Sequence, residues 1–142
     1  IELDMVKVYG PYQKNGLIPN LFSRMKSTQP VTVFGEGDQI RDYVYINDIL
    51  DFFKTSISSN KADNHIINMG TGVGHSIMEV INIMSEKLNV KPKIDFKPKR
   101  VGEIDNFVAD TSLIKDLFGK SPSTNLEIGL AKTIDWLNSN NF

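Results

Sequence analysis

The run Val31-Thr-Val-Phe-Gly-Glu-Gly-Asp-Gln-Ile-Arg-Asp-Tyr-Val-Tyr-Ile-Asn-Asp48 constrains this chain more than any other stretch. Val31 to Phe34 is β-branched and aromatic, Gly35-Glu36-Gly37-Asp38 supplies turn chemistry, and Tyr43-Val44-Tyr45-Ile46 resumes strand character. Asn47 or Asp48 is then placed to cap a helix. One arginine, Arg41, enters the second run. A guanidinium stays charged and offers a planar set of donors, so it can fork onto a phosphate. It can also pair with Asp42 or another surface carboxylate, the commoner use of a surface arginine, and chemistry alone leaves both readings open.

The rest of the chain punctuates itself. Residues from about Leu3 to Tyr9 have strand character and stop at Gly10-Pro11. A helix is expected over Leu17 to Lys26 and a short one over Ile49 to Ile57. Ile66 to Met69 reads as a brief strand, after which Gly70, Gly72 and Gly74 open a loop. Ser76-Ile-Met-Glu79 has the spacing of a capping box, so the next helix starts there. Ile77, Val80, Ile81, Met84 and Leu88 give that helix one apolar face, which reads as core rather than ligand site. Ile94 to Phe96 is expected to be a strand and Ser112 to Phe118 a helix stopped at Gly119. Thr124-Asn-Leu-Glu127 is expected to cap a last helix through Trp136. Helices and strands interleave as in an α/β protein. No repeat, low-complexity block or long linker divides residues 1–142, which read as a single unit.

Composition excludes several classes of function. A chain of 142 residues with 40% apolar content can bury one core. A net charge of -1 builds no large field, so nonspecific nucleic-acid binding is not favoured. No apolar run has the length of a membrane span, and the start lacks the pattern of a signal peptide. Zero cysteines rule out disulfides and thiolate metal sites and fit a cytoplasmic location. The first residue is Ile rather than Met, which suggests absent upstream residues.

Local motifs for chemistry are poor. Gly70-x-Gly72-x-Gly74 follows a strand, but the third glycine of a dinucleotide fingerprint falls at His75, so the loop reads as a strand-to-helix connection. His65 and His75 have no metal-ligand spacing, and Asp63 beside His65 reads as loop polarity. No Gly-x-Ser-x-Gly elbow occurs. Lys91, Lys93, Lys97, Lys99 and Arg100 are interrupted by Pro92 and Pro98, and they read as a solvated basic edge with Arg100 as an exception.

Five stretches in order carry a resemblance. They are Val8-Tyr-Gly-Pro11, Leu17-Ile-Pro19, Phe34 to Asp48, Ile67-Asn-Met-Gly-Thr-Gly72 with Ser76, and Arg100-Val-Gly-Glu103 followed by Asp110-Thr-Ser112. Together they resemble the C-terminal, substrate-binding part of the extended short-chain dehydrogenase/reductases, the NAD-dependent nucleotide-sugar epimerases and dehydratases. The resemblance implies the C-terminal portion of a Rossmann-type NAD(P)-binding fold, with a small mixed α/β substrate-binding subdomain. It also implies a nucleotide-sugar substrate, NAD held mainly by an absent N-terminal part, and a homodimeric parent.

By the same resemblance, Arg41 and Arg100 fall where two arginines face the substrate diphosphate, and Glu103 falls where a carboxylate accepts from the ribose hydroxyls. Val33 and Phe34, with Thr32, lie where a strand flanks the base, although β-branched and aromatic strand residues are usually core. Leu17 follows the loop that closes over the nucleotide, and Asn68 fixes or caps the next loop. Two positions depart from the pattern: Lys7 replaces the usual Asn before Val-Tyr-Gly-Pro, and Asp4 the usual Arg. Lys7 adds a charge for the diphosphate or the sugar, or marks a modified pocket.

The hydride chemistry of such enzymes needs a Tyr-x-x-x-Lys pair, since a tyrosine base requires a cation beside its phenolate. The residues four beyond Tyr9, Tyr12, Tyr43 and Tyr45 are Gln13, Gly16, Asn47 and Ile49, so no catalytic residue is assigned. The chain alone is expected to be inert, with epimerase, dehydratase and reductase outcomes unseparated. A noncatalytic module that binds a nucleotide or nucleotide-sugar is the alternative. If other strands of a parallel sheet are absent, the strands near Leu3 to Tyr9 and Ile66 to Met69 leave open edges that favour self-association.

Overall fold

The computed structural model describes residues 2–140. The strand-like run at the start divides in two. β1 (Glu2–Met5) pairs in parallel with β5 (Ile66–Met69), whereas β2 (Lys7–Tyr9) pairs in parallel with β4 (Ile40–Tyr45). The division falls at Val6, where the Val8 amide donates back to the Val6 carbonyl at 2.9 Å. β3 (Val31–Phe34) pairs in parallel with β7 (Ile94–Lys97) and not with β4, so the Gly35–Gly37 turn links two sheets instead of closing a hairpin. β4 is the hub of the largest sheet, joined also by antiparallel β6 (Gly74–Ser76) and parallel β8 (Asn106–Phe107).

Helix α1 (Leu17–Lys26) follows its apolar spacing and buries Ile18, Leu21, Phe22 and Met25. Helix α2 (Ile46–Ile57) starts earlier than expected, with Tyr45 at its cap position and Asp48 in its first turn. The Asp48 carboxylate instead accepts from the Ser123 amide at 3.0 Å and from the Thr124 amide and hydroxyl at 2.8 and 2.7 Å. That docks the entry to α5 (Leu126–Ser139) against α2, and it leaves Asn125, not Thr124, to cap α5. In α3 (Ile77–Leu88), the Ser76 hydroxyl accepts from the Glu79 amide at 3.0 Å. The Glu79 carboxylate turns to His75 Nδ1 at 2.7 Å, so only half of the expected capping box forms. Helix α4 (Ser112–Phe118) ends at Gly119 in the left-handed conformation that glycine permits.

Alternation along β4 sends successive side chains to opposite faces, and each face carries a core. Tyr43 and Tyr45 join Tyr9, Phe22, Met84 and Leu130 on one side. Val44 joins Ile49, Phe52, Ile67, Met69 and Ile114 on the other. β1 and β5 make a two-stranded parallel sheet with no third described strand, and Met5 and Ile66 on it are 58% and 60% exposed. Leu50, Phe53 and Ile57, spaced three and four apart on α2, form a second exposed apolar stripe. These surfaces favour association between copies. Sedimentation is expected to show concentration-dependent oligomers that Ile66→Lys with Phe53→Glu reduces. A chain that stays monomeric at all concentrations contradicts this.

Candidate functional site

Asp42 settles what the glycine loop does. It follows Arg41 in β4, points to the opposite face and is fully buried. Its Oδ1 accepts from the Thr71 amide at 3.0 Å and the Thr71 hydroxyl at 2.6 Å, and its Oδ2 accepts from the amides of Gly72 at 2.9 Å and Ala109 at 3.3 Å. The donors that a phosphate would seek in this loop are spent on an internal carboxylate. A Cβ at residue 70 would stand 2.6 Å from Asp42 Oδ2, which is why that position holds glycine. The loop is therefore a structural connection.

The other face of β4 borders a cavity of about 330 Å3, within the size range of small-molecule sites. Arg41, Arg100 and Glu103 converge on it, with Leu17, Gln13 and Tyr43 among its other walls. Arg41 Nη2 lies 3.6 Å from Glu103 Oε1, and Arg41 Nη1 donates to the Ile40 carbonyl at 2.8 Å. Both side chains are mostly shielded, at 14% and 19% exposure. Buried Gln39 uses Nε2 to reach the Phe34 carbonyl at 2.7 Å and Glu103 Oε2 at 3.4 Å, so both carboxylate oxygens of Glu103 are engaged.

Arg100 stacks its guanidinium 3.8 Å from the centroid of the Phe34 ring. Such a contact orients the planar donor fork without using its hydrogens. Of the other cations in the basic run, Lys97 pairs with Asp95 at 3.0 Å and Lys99 with Asp105. The Lys99 ammonium is held above its ordinary range, first by its hydrogen bond to Asp105.

Burial pushes the Tyr43 phenol up to about 12, against the pull of the Arg41 charge. It raises Tyr9 further, with the Asp48 charge adding to the effect. Both phenols stay protonated near pH 7 and are not bases. Gln13 Nε2 donates to the Val8 carbonyl at 3.3 Å, which ties the loop before α1 onto β2. Gln13 Oε1 is buried without a protein partner.

The structure thus brings Leu17, Arg41, Arg100 and Glu103 to one cavity. Val33 does not reach it: its side chain is in the core, 1% exposed, because the inward face of β3 packs on α1 and α3. Phe34 is not among the cavity walls and serves as the platform for Arg100. Arg41 does not pair with Asp42, because adjacent strand residues point apart, but it does pair with another carboxylate, Glu103. Tyr43 was legible two residues after Arg41 on the same face, whereas Gln13 and Gln39 carried no local signal. Asn68 fixes the segment after β8 through a 3.2 Å bond from Nδ2 to the Asp110 carbonyl.

A family model described as "NAD dependent epimerase/dehydratase family" matches residues 1–70. Nearly all of the chain also overlays on solved epimerase structures. It superposes with a TM-score of 0.89 and 28% identity on a UDP-glucuronic acid 4-epimerase from Bacillus cereus in complex with UDP-glucuronic acid and NAD, over 97% of this chain and 45% of that one. By residues 1–70 and by its fold, this chain is similar to the NAD dependent epimerase/dehydratase family.

A UDP-glucose 4-epimerase from Thermotoga maritima with UDP-glucose gives a TM-score of 0.86 at 29% identity, over 99% of this chain and 46% of that one. A dTDP-glucose 4,6-dehydratase of Xanthomonas campestris is 28% identical over 143 aligned positions, covering 93% of this chain and 40% of its own length. The chain therefore spans less than half of these relatives. In this chain the Asp42 network fixes the strand from which Arg41 projects. Asp42→Ala orphans four donors and is expected to cost about 3 kcal/mol, lowering the melting midpoint by roughly 10 °C. An unchanged melting curve contradicts the role assigned to this carboxylate.

Proposed function

We propose that this chain is the nucleotide-sugar grip of an NAD-dependent nucleotide-sugar epimerase or dehydratase. The observation that carries this reading is the convergence of Arg41, Arg100 and Glu103 on one cavity. Two guanidiniums suit the two phosphates of a nucleoside diphosphate, which they bind by charge-assisted forks. Glu103, its oxygens already oriented by Arg41 and Gln39, is placed to accept from a vicinal diol such as a ribose. Leu17 and the loop pinned by Gln13 form the wall beside them. Relatives that carry UDP-sugars in their solved structures support the same substrate class.

NAD supplies the hydride acceptor in this reading, but the residues of this chain do not fit it. The glycine-rich loop after β5 has its donors on Asp42, and no Tyr-x-x-x-Lys occurs in the 142 residues. Cofactor binding and sugar oxidation are accordingly assigned to a segment outside this chain. Taken alone, the chain is a binding module. No described helix is long and apolar enough to cross a membrane. The homodimeric and cytoplasmic character of the parent is part of the proposal, the first resting on the family resemblance and the second on the absence of cysteines from this chain.

Calorimetric titration of the chain with UDP-glucose and with dTDP-glucose tests the reading. Wild type is expected to bind at least one of them, and Arg41→Ala to weaken that binding by about tenfold or more, the loss of one charge-assisted contact. Binding that Arg41→Ala leaves unchanged contradicts the assignment of this cavity.

A further inference from the structure

The turn between β2 and α1 carries Asn15-Gly16, the single Asn-Gly pair in the 142 residues. Both residues are exposed, and among the described residues the Asn15 side chain has no hydrogen-bond partner. The Gly16 amide is equally unengaged, since the first backbone bond of α1 runs from the Asn20 amide to the Gly16 carbonyl at 3.3 Å. Several other asparagines are tied down. Asn20 accepts from Arg24 at 3.2 Å, Asn68 donates to the Asp110 carbonyl, Asn125 caps α5, and Asn140 donates to the Trp136 carbonyl at 2.8 Å. Each of these is also followed by a residue whose side chain crowds its own backbone amide, which Gly16 lacks.

A free carboxamide beside an unshielded backbone N–H supplies both reactants of an intramolecular ring closure. The Gly16 nitrogen gives its proton to solvent base and attacks Asn15 Cγ. The new nitrogen–carbon bond forms, the Cγ–Nδ2 bond breaks, and Nδ2 leaves as ammonia. Water then opens the cyclic imide at one or the other carbonyl, giving aspartate or isoaspartate, with nothing oxidised or reduced. The place in the fold assists. Helix α1 begins at Leu17 with no acidic residue in its first turn and no side-chain cap at Gly16. The partial positive charge of that helix end favours the negative charge on the attacking nitrogen and on the product carboxylate.

We propose that Asn15 is a site of spontaneous deamidation, an irreversible modification that alters the cavity wall. Gly16 lines the cavity together with Gln13 and Leu17. The aspartate product adds one negative charge at this edge, in a chain whose net charge is -1. The isoaspartate product also lengthens the main chain by one methylene, between the tie from Gln13 to Val8 and the start of α1. On the nucleotide-sugar reading of the cavity, either change weakens the grip on a diphosphate.

Peptide mapping by mass spectrometry of the full chain, held at mildly alkaline pH, tests the modification without any ligand. The peptide containing Asn15 is expected to gain about one dalton before any other asparagine peptide does. The gain is expected to speed up with rising pH and to create a substrate for isoaspartyl methylation. Asn15→Gln is expected to stop it, because glutamine must close a larger and slower ring. A gain that appears first at another asparagine, or an Asn15 peptide still unchanged when others have converted, overturns the proposal. Asn15→Asp is then expected to weaken UDP-glucose binding about threefold. Unchanged binding overturns the effect on the cavity. A wild-type chain that binds no nucleotide-sugar overturns the nucleotide-sugar reading, while the mass gain still decides the assignment of Asn15.

Discussion

A single buried carboxylate holds together the parts of this fold that the site depends on. Asp42 lies mid-way along β4, and its oxygens gather donors from the loop after β5 and from the segment after β8. Taking a carboxylate out of water costs several kcal/mol, and four hydrogen bonds to it offset that cost. The consequence is positional. With Asp42 locked to one face of β4, Arg41 is committed to the other, where the cavity is.

The cavity wall is assembled by the same economy of shared groups. Glu103 and Arg100 both come from the turn after β7, which pairs with β3. Phe34 at the end of β3 receives the Arg100 guanidinium, and the Phe34 carbonyl receives Gln39, which also reaches Glu103. Position along one short parallel pair thus determines where two of the charged groups stand. The Asp48 contacts with Ser123 and Thr124 act likewise on the opposite end of β4, seating α5 over the tyrosine cluster.

Elements governed by local periodicity were legible in the sequence. Helix α1 spans the residues its spacing predicts, α4 stops at its glycine, and β5 has the expected bounds. Features governed by distant partners were not. Asp48 and Thr124 have the residue types of helix caps, yet they bond each other across 76 positions. The Leu3–Tyr9 run divides because its two halves pair with different strands, a fact no local window contains. The motifs pointed to Arg41, Arg100, Glu103 and Leu17 as neighbours of a ligand, and the cavity gathers all four. Val33 shares its residue type with core strands and proved to be core, while Gln39 was invisible because its partners lie five and 64 positions away.

On the proposed function, anion-binding capacity lies on the Arg41 face of β4 and not in the glycine loop on the Asp42 face. Backbone amide resonances followed by NMR during titration with UDP test it directly. Shifts are expected at Lys7, Arg41, Arg100 and Glu103 on the cavity wall, with Thr71 and Gly72 unmoved because their amides stay on Asp42. Shifts centred on Gly70 to Gly74, with the Arg41 face silent, would contradict it.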